Sequence, residues 1–147
     1  MEISTTLNDI PDIADIHLAE ARIRQQACKT PVVNDPLLDA DLGCKLFCKC
    51  ENLQRTGAFK FRGASNAIAR LAEKEIMGDV ATHSSGNHGA ALALAARLAG
   101  RTAHVVMPDN SSRVKVEAVR SYGGKVHFCE PNHASRTAGL ELSLIHI

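Results

Sequence analysis

The sequence is poor in aromatic residues, with no tryptophan, one tyrosine and four phenylalanines among 147 residues. Such a chain lacks the rings on which single-stranded nucleic acids stack their bases. It also has no excess of charge, because 17 lysines and arginines oppose 16 acidic residues and leave a formal net charge of +1. Without a basic surplus, neither nucleic acid nor an anionic membrane is predicted as a partner.

Long apolar runs and a leader sequence are missing as well. The most apolar segment, residues 90–99, is too short to span a bilayer, and Arg97 interrupts it. Acidic residues, Glu2 and Asp9, stand where a signal peptide would have a basic start and an apolar core. With 45% hydrophobic and 22% charged residues, the composition predicts a cytoplasmic globular protein of about one domain.

Cysteine is present, but the five residues are odd in number and too loosely spaced for a disulfide framework. Cys48 and Cys50 fall on one face of a predicted strand, which is the spacing of half a metal site. The sequence has no second pair to complete that site. It therefore predicts small buried thiols, no metal and a reducing compartment.

The hydrophobic rhythm changes near residues 75–79, which predicts a boundary there. Before it, the pattern indicates helices and one strand, at 9–28, 45–50 (the strand) and 57–74. After it, strands alternate with helices, in the order 80–82, 90–98, 102–107, 112–121, 125–129 and a last helical stretch. Such alternation predicts parallel strands joined by right-handed crossovers.

A lysine between two phenylalanines is the first chemically informative feature, in residues 57–63 (GAFKFRG). Burial beside Phe59 and Phe61, the start of a helix and the nearby charge of Arg62 would all favour the neutral, nucleophilic amine of Lys60. A neutral amine is what Schiff-base formation requires. A surface lysine on an amphipathic helix explains the same residues, and this segment alone leaves both interpretations open.

A glycine-containing polar loop, residues 83–89 (HSSGNHG), follows a predicted strand and opens a helix. Free backbone N–H groups at a helix start can hold a carboxylate or phosphate, and Gly86 and Gly89 would let the backbone approach it. Side-chain partners for such a ligand come from Ser84, Ser85, Asn87 and His88. A plain helix cap is the alternative.

The remaining histidines lack metal-ligand spacing and are interpreted as solvated or core residues, at positions 17, 104, 127 and 133.

Residues 51–64 (ENLQRTGAFKFRGA) resemble the cofactor-lysine motif of the serine/threonine dehydratase family of pyridoxal phosphate enzymes. The loop at 84–89 is similar to the family's substrate-carboxylate loop. The resemblance implies an α/β fold, tryptophan synthase β-like (pyridoxal phosphate fold type II), three-layered around a parallel sheet and incomplete here. It assigns residues 1–77 to the N-terminal part of a large cofactor domain and residues 78–147 to a truncated small domain.

Matching positions imply roles for individual residues. Lys60 would carry pyridoxal phosphate and act as the base at the substrate α-carbon, with Phe59 beside the cofactor ring. Asn87 would hydrogen-bond the cofactor 3-hydroxyl, and Ser85 would face the cofactor from the side opposite Lys60. The substrate carboxylate would be bound by Ser84, Ser85, Asn87 and His88, with a further substrate contact from Arg136.

The family includes threonine ammonia-lyases, serine racemases and hydroxyaspartate dehydratases. The resemblance thus implies a lyase that releases a 2-oxo acid and ammonia from serine or threonine, or a serine racemase. Alternatives are a hydroxyaspartate dehydratase, a β-replacement synthase of the same fold, or a non-catalytic small-molecule-binding α/β domain. The last gives no reason for Lys60 between two phenylalanines.

Family members are about twice as long as this chain. The cofactor-phosphate loop and the divalent-cation site would lie beyond it, so the chain alone is expected to be an inactive fragment. A cation and a homo-oligomer are implied only for the full-length protein. Residues 142–147 differ from the charged amphipathic helix expected after Arg136, and we interpret them as not native.

Overall fold

The computed structural model describes residues 10–145, with side chains up to residue 141. The predictions about a signal peptide and about residues 142–147 therefore concern positions or side chains outside the described part. Within it, two 3-10 turns (Glu51–Leu53 and Arg55–Gly57) precede the third of six helices. Helices and strands follow the order α1 (Ile13–Ile23), β1 (Val32–Val33), α2 (Pro36–Leu42), β2 (Cys48–Lys49), α3 (Lys60–Glu73), β3 (Val80–His83), α4 (Asn87–Leu98), β4 (Ala103–Pro108), α5 (Arg113–Ser121), β5 (Lys125–Cys129) and α6 (His133–Ile145).

The second part of the chain is a three-layered α/β unit. Strands β3, β4 and β5 pair in parallel in that order, with α4 and α5 as the crossovers. A Cβ on Gly89 of α4 would meet Val105, whereas one on Gly139 of α6 would meet Val106. Because successive strand residues point to opposite faces, α4 and α6 cover opposite sides of the sheet. The predicted alternation and the parallel sheet are confirmed.

The core is centred on α4, in which residues 89–96 are all buried. Its small apolar side chains let α3, α5 and the sheet approach it from several sides, which explains a helix buried nearly all round. Helix α3 contributes Phe61, Ala64 and Ile68 to this core. Ala67 of the same helix is exposed, because the buried stripe runs through Ser65 instead.

The first part of the chain is less regular than predicted. The helix expected over 9–28 spans only Ile13–Ile23, because Asp12 and Asp15 form a capping box that fixes its start. Ile13 and Ile16 of this helix are 69% and 57% exposed.

The strand expected over 45–50 shortens to two residues, which pair antiparallel with Val32–Val33. Cys48 is exposed and Cys50 is half-buried, so the prediction of buried thiols is wrong at this pair. Across the described residues, all five cysteines are free, no group of metal ligands converges, and no helix is long and apolar enough to cross a bilayer.

Candidate active site

Lys60 is the first residue of α3 and follows a left-handed turn. Thr56 and Gly57 have φ values of 62° and 71°, and Ala58 is extended. Glycine adopts this conformation freely, whereas a β-branched threonine there costs on the order of 1–2 kcal/mol. The strained turn reverses the chain immediately before the lysine and so sets the direction in which α3 begins.

The two phenylalanines beside Lys60 have different surroundings. Phe61 is fully buried in the core, but Phe59 is 58% exposed and the Lys60 side chain is exposed too. The expectation that both rings bury the amine is therefore wrong for this chain. The Lys60 Nζ atom lies 4.9 Å from the centroid of the Phe59 ring, which is the geometry of a cation–π contact.

The predicted charge repulsion from Arg62 is also wrong. Its guanidinium forms two hydrogen bonds with the carboxylate of Glu51, of 2.9 and 2.7 Å. The positive charge of Arg62 is thus neutralised locally. Phe61 and Arg62 anchor the start of α3, and the Lys60 amine is left accessible.

The glycine-containing loop joins β3 to α4, as predicted. The Ser84 N–H donates to the Val106 carbonyl and extends the β3–β4 ladder by one bond. The Ser84 Oγ then accepts hydrogen bonds from the N–H groups of Gly86 (3.3 Å) and Gly89 (3.2 Å). A hydroxyl oxygen therefore lies at the N-terminus of α4, where the helix dipole favours an anion.

The two glycines of the loop serve different purposes. A Cβ on Gly86 would meet nothing within 4 Å, so this residue faces open space, as a ligand-binding glycine would. A Cβ on Gly89 would lie 2.9 Å from Val105 Cγ1 and 3.1 Å from the Ser84 carbonyl oxygen. Gly89 is required for close packing of α4 on the sheet, and the prediction that it approaches a ligand is wrong.

The lysine and the loop meet across one open cleft of about 310 Å³, lined by Phe59, Lys60, Arg62, Gly63, Ala64 and His88. Burial, and secondarily the positive charge of Lys60, lowers the pKa of His88 below its ordinary value. His88 is therefore neutral near pH 7, with one ring nitrogen to donate and one to accept a hydrogen bond.

Other predicted site residues stand at varying distances from this cleft. Asn87 is exposed and Ser85 half-buried in the same loop. Arg136 does not line the cleft, since it belongs to α6 on the opposite face of the sheet. Its Nε atom is buried without a hydrogen-bond partner among the described residues. The start of α6 is near the loop, because the rings of His133 and His83 are 6.3 Å apart.

Sequence reasoning missed two polar networks. In one, Thr30, Glu51 and Arg62 are joined by hydrogen bonds beside the lysine turn. In the other, His104 Nδ1 lies 2.9 Å from His127 Nε2, and His104 Nε2 lies 3.4 Å from Asp79 Oδ2. The histidine pair could have been predicted, because His104 and His127 fall on one face of adjacent strands. Nothing in the local sequence indicated the first network.

Comparison with known proteins gives consistent matches. A family model described as pyridoxal-phosphate dependent enzyme matches residues 23–143. The serine racemase of Oryza sativa subsp. japonica is 48% identical over 125 residues, which cover 85% of this chain and 37% of that protein. The beta-hydroxyaspartate dehydratase of Paracoccus denitrificans (strain Pd 1222) is 44% identical over 127 residues, 86% of this chain and 40% of that protein.

A solved structure of a pyridoxal 5'-phosphate-dependent aspartate racemase is similar with a TM-score of 0.87 and 42% identity, over 93% of this chain and 44% of that one. The chain thus spans 37–44% of the length of these three relatives. The predicted fold class, α/β with a parallel sheet as in pyridoxal phosphate fold type II, is confirmed. Because the family model covers most of its residues, the chain belongs to the pyridoxal-phosphate dependent enzyme family.

Proposed function

We propose that the protein to which this chain belongs is an ammonia-lyase that converts serine or threonine into a 2-oxo acid and ammonia, with serine racemisation as a competing outcome. The observation that carries the proposal is the cleft that both Lys60 of α3 and His88 of α4 line. It combines a primary amine with an anion-binding helix start. These are the two groups that an amino-acid enzyme of this family needs.

The residues of the cleft fit pyridoxal phosphate. The Lys60 amine is accessible for covalent attachment, and Phe59 offers an exposed ring face against which the pyridine ring can stack. Asn87, exposed at the start of α4, supplies an amide for the 3-hydroxyl. When bound, the cofactor supplies an electron sink for a carbanion at the substrate α-carbon.

The protein's own groups bind the substrate and move protons. Ser84, Asn87 and His88 hold the substrate carboxylate at the N-terminus of α4, where neutral His88 can donate one hydrogen bond. Lys60 Nζ removes the α-proton, and Ser85 returns one from the opposite side when racemisation occurs. Arg136, whose buried Nε lacks a partner among the described residues, is a candidate for a further substrate contact.

A hydroxyaspartate substrate is the second candidate, favoured by the 44% identity to the Paracoccus denitrificans dehydratase. Such a substrate carries a second carboxylate, which requires an additional cation in the site. Besides Lys60, Arg62 carries a positive charge among the residues that line the cleft, but its guanidinium is already paired with the Glu51 carboxylate. The described residues therefore favour serine or threonine.

We propose that this chain alone is inactive. Residues 1–77 would be the N-terminal part of a large cofactor domain and residues 78–147 a small domain, with the cofactor-phosphate loop and any divalent-cation site elsewhere in the protein. The exposed apolar surface of the first part and the 37–44% coverage of relatives support this division. The full-length protein would form a homo-oligomer without nucleic acid or membrane partners. Free thiols at exposed positions fit a cytoplasmic setting.

The proposed function can be tested by incubating the chain with pyridoxal phosphate, reducing with borohydride and mapping the labelled peptide. Label on Lys60 that exceeds the label on other exposed lysines supports the proposal, and Lys60→Ala should remove it. Lys45 serves as the matched control, since it is an exposed lysine outside the cleft. Equal labelling of Lys45 and Lys60 would contradict a specific cofactor site. Release of a 2-oxo acid from serine by the 147-residue chain would contradict its inactivity.

A further inference from the structure

We infer that the Glu51–Arg62 ion pair, together with Thr30, is a positioning clamp that holds the first turn of α3 and thereby directs Lys60 into the cleft. The inference rests on the proposed role of Lys60 in cofactor attachment. It concerns three residues that the family resemblance leaves without a role.

The clamp is a closed set of hydrogen bonds. Arg62 donates through Nε and Nη2 to the two carboxylate oxygens of Glu51, at 2.9 and 2.7 Å. Glu51 also accepts a 2.6 Å bond from the Thr30 hydroxyl, and Arg62 donates a further 3.1 Å bond to the Cys28 carbonyl. A bidentate arginine–carboxylate pair fixes both distance and orientation. It therefore ties α3 to residues 28–30 and to the turn that begins at Glu51.

The pair is shielded from solvent more than ordinary surface pairs. The side chains of Glu51 and Arg62 are 19% and 33% exposed, and Thr30 is 5% exposed. The hydrogen bonds from Arg62 are the main cause that lowers the pKa of Glu51 to about 2, with Thr30 contributing. Glu51 thus stays ionised throughout the range in which an amino-acid enzyme works.

The start of α3 needs an external support because it has no side-chain cap. Phe59 precedes the helix and makes no side-chain capping bond. The Phe61 and Arg62 N–H groups reach back to the Ala58 and Phe59 carbonyls, at 3.4 and 3.0 Å. Helices that lack a cap fray at their first turn. Lys60 lies on that turn, two residues before Arg62, so fraying would move its amine.

A second set of bonds supports the same turn from the other side. The buried Gln54 side chain donates to the Cys28 carbonyl (2.8 Å) and accepts from the Cys28 N–H (2.9 Å) and the Arg55 N–H (3.0 Å). Residue 28 is thereby held by both Gln54 and Arg62. The strained Thr56–Gly57 turn lies between these two anchors.

The same helix provides a matched control at its opposite end. Glu73, the last residue of α3, accepts two bonds from Arg22 Nε, of 2.8 and 3.0 Å. This pair also ties α3 to the N-terminal part of the chain, but far from Lys60. Glu73→Gln therefore removes a similar ion pair without touching the proposed clamp.

The test compares Glu51→Gln with Glu73→Gln by amide hydrogen exchange in the chain as it exists. We expect Glu51→Gln to accelerate exchange of residues 58–64 by roughly 10-fold or more while residues 70–76 stay unchanged, and Glu73→Gln to do the reverse. Equal acceleration of both segments in both variants would show a general loss of stability and overturn the inference. So would unchanged exchange at 58–64 in Glu51→Gln.

Thr30→Val provides a milder variant if Glu51→Gln unfolds the chain. It removes one bond to Glu51, and we expect a smaller acceleration confined to the same segment; no change there would also count against the clamp.

The consequence for Lys60 is measured separately, as the rate of borohydride-trapped labelling by pyridoxal phosphate. Glu51→Gln should slow the labelling of Lys60 several-fold, whereas Glu73→Gln should be labelled at the wild-type rate. Equal labelling rates in the two variants would refute the positioning role. Absence of label in the wild type contradicts the proposed function instead, while the exchange measurement still decides whether the clamp holds the helix start.

Discussion

This chain has two parts, residues 10–59 and the α/β part that follows them. They differ in how far their apolar side chains are buried. Of the large apolar side chains that are exposed in the described residues, thirteen of eighteen lie between residues 10 and 59. Of the eighteen buried hydrophobic residues, only Ile23 and Ala58 lie there. The later part has its own core around α4, whereas the earlier part has apolar surface without a cover. A concentration of exposed apolar side chains of this kind is typical of an interaction face.

The two parts are also held together by different kinds of interaction. In the later part, hydrophobic burial on both faces of the sheet holds the elements together. In the earlier part, polar bonds such as those of Glu51, Gln54 and Asp39 take that role, with Asp39 joining Asn34 to the Leu46 N–H. Hydrogen bonds contribute only about 1 kcal/mol each to stability. The earlier part should therefore open first.

The largest expected effect comes from the two phenylalanines beside Lys60. We expect Phe61→Ala to reduce the free energy of unfolding by about 3–5 kcal/mol, because it leaves a cavity in the core. Phe59→Ala should cost less than about 1 kcal/mol, because that ring is already exposed. Urea unfolding followed by circular dichroism measures both. Similar losses for the two variants would mean that residues 10–59 share the core of the later part.

Acid titration provides the next test, since the two parts should respond in different pH windows. Burial is the main cause that lowers the pKa values of His88 and His127, so their protonation favours the unfolded chain as pH falls below 6.5. Glu51 has a pKa lowered to about 2, and the stability it provides is complete above its ordinary value of 4.5 and lost as pH falls towards 2.

The measurement is unfolding free energy against pH, repeated with Glu51→Gln and with His127→Asn. The first variant should flatten the profile between pH 4.5 and 2, and the second should reduce the loss of stability that begins as pH falls below 6.5. A Glu51→Gln profile as steep as the wild type at low pH would show that the ion pair gives no net stability.

A smaller effect, of opposite sign, is expected at Ser65. This residue of α3 is 2% exposed, and its hydroxyl has no hydrogen-bond partner among the described residues. Removing a buried, unsatisfied hydroxyl relieves its desolvation cost, so Ser65→Ala should raise the unfolding free energy by about 1 kcal/mol. A change of similar size but opposite sign would reveal an ordered water or another partner. Calorimetric melting against the wild type is sufficient.

The smallest effect is expected at Phe47, which is 64% exposed in the earlier part. Phe47→Ser should change the unfolding free energy by less than about 0.5 kcal/mol while lowering the binding of an apolar dye to the chain. Loss of more than 1 kcal/mol in the same unfolding assay would place this ring in a core and remove the contrast between the two parts.

The α/β part was largely predictable from sequence, because its burial is dictated by local pattern. The strands β3 to β5 and the helix α4 were predicted within a few residues, since strong apolar periodicity bounded by glycines specifies both type and length. The earlier part was predicted poorly. Helix α1 does form, but Ile13 and Ile16 on it stay exposed, because nothing in the described chain covers them.

In the candidate site, too, features set by neighbouring residues could be predicted, whereas features set by contacts between distant residues could not. The position of the glycine-containing loop at the start of α4 follows from strand–loop–helix order and could be predicted. The direction of Phe59 and Phe61 could not, because helix phase decides which ring enters the core. The partner of Arg62 was equally out of reach, since Glu51 comes beside it only through the left-handed turn at Thr56.

The Ser84 hydroxyl would make binding of a carboxylate at the start of α4 an exchange of hydrogen-bond partners rather than a simple addition. Its oxygen already accepts the N–H group of Gly86, the loop glycine that faces open space, so an incoming carboxylate would gain this donor only by displacing the hydroxyl. A neutral oxygen swapped for another neutral oxygen changes little, whereas a charged oxygen gains the field of the helix dipole. If the substrate carboxylate binds there as proposed, the loop would favour the charged carboxylate of a free amino acid over the neutral oxygen of its amide or ester.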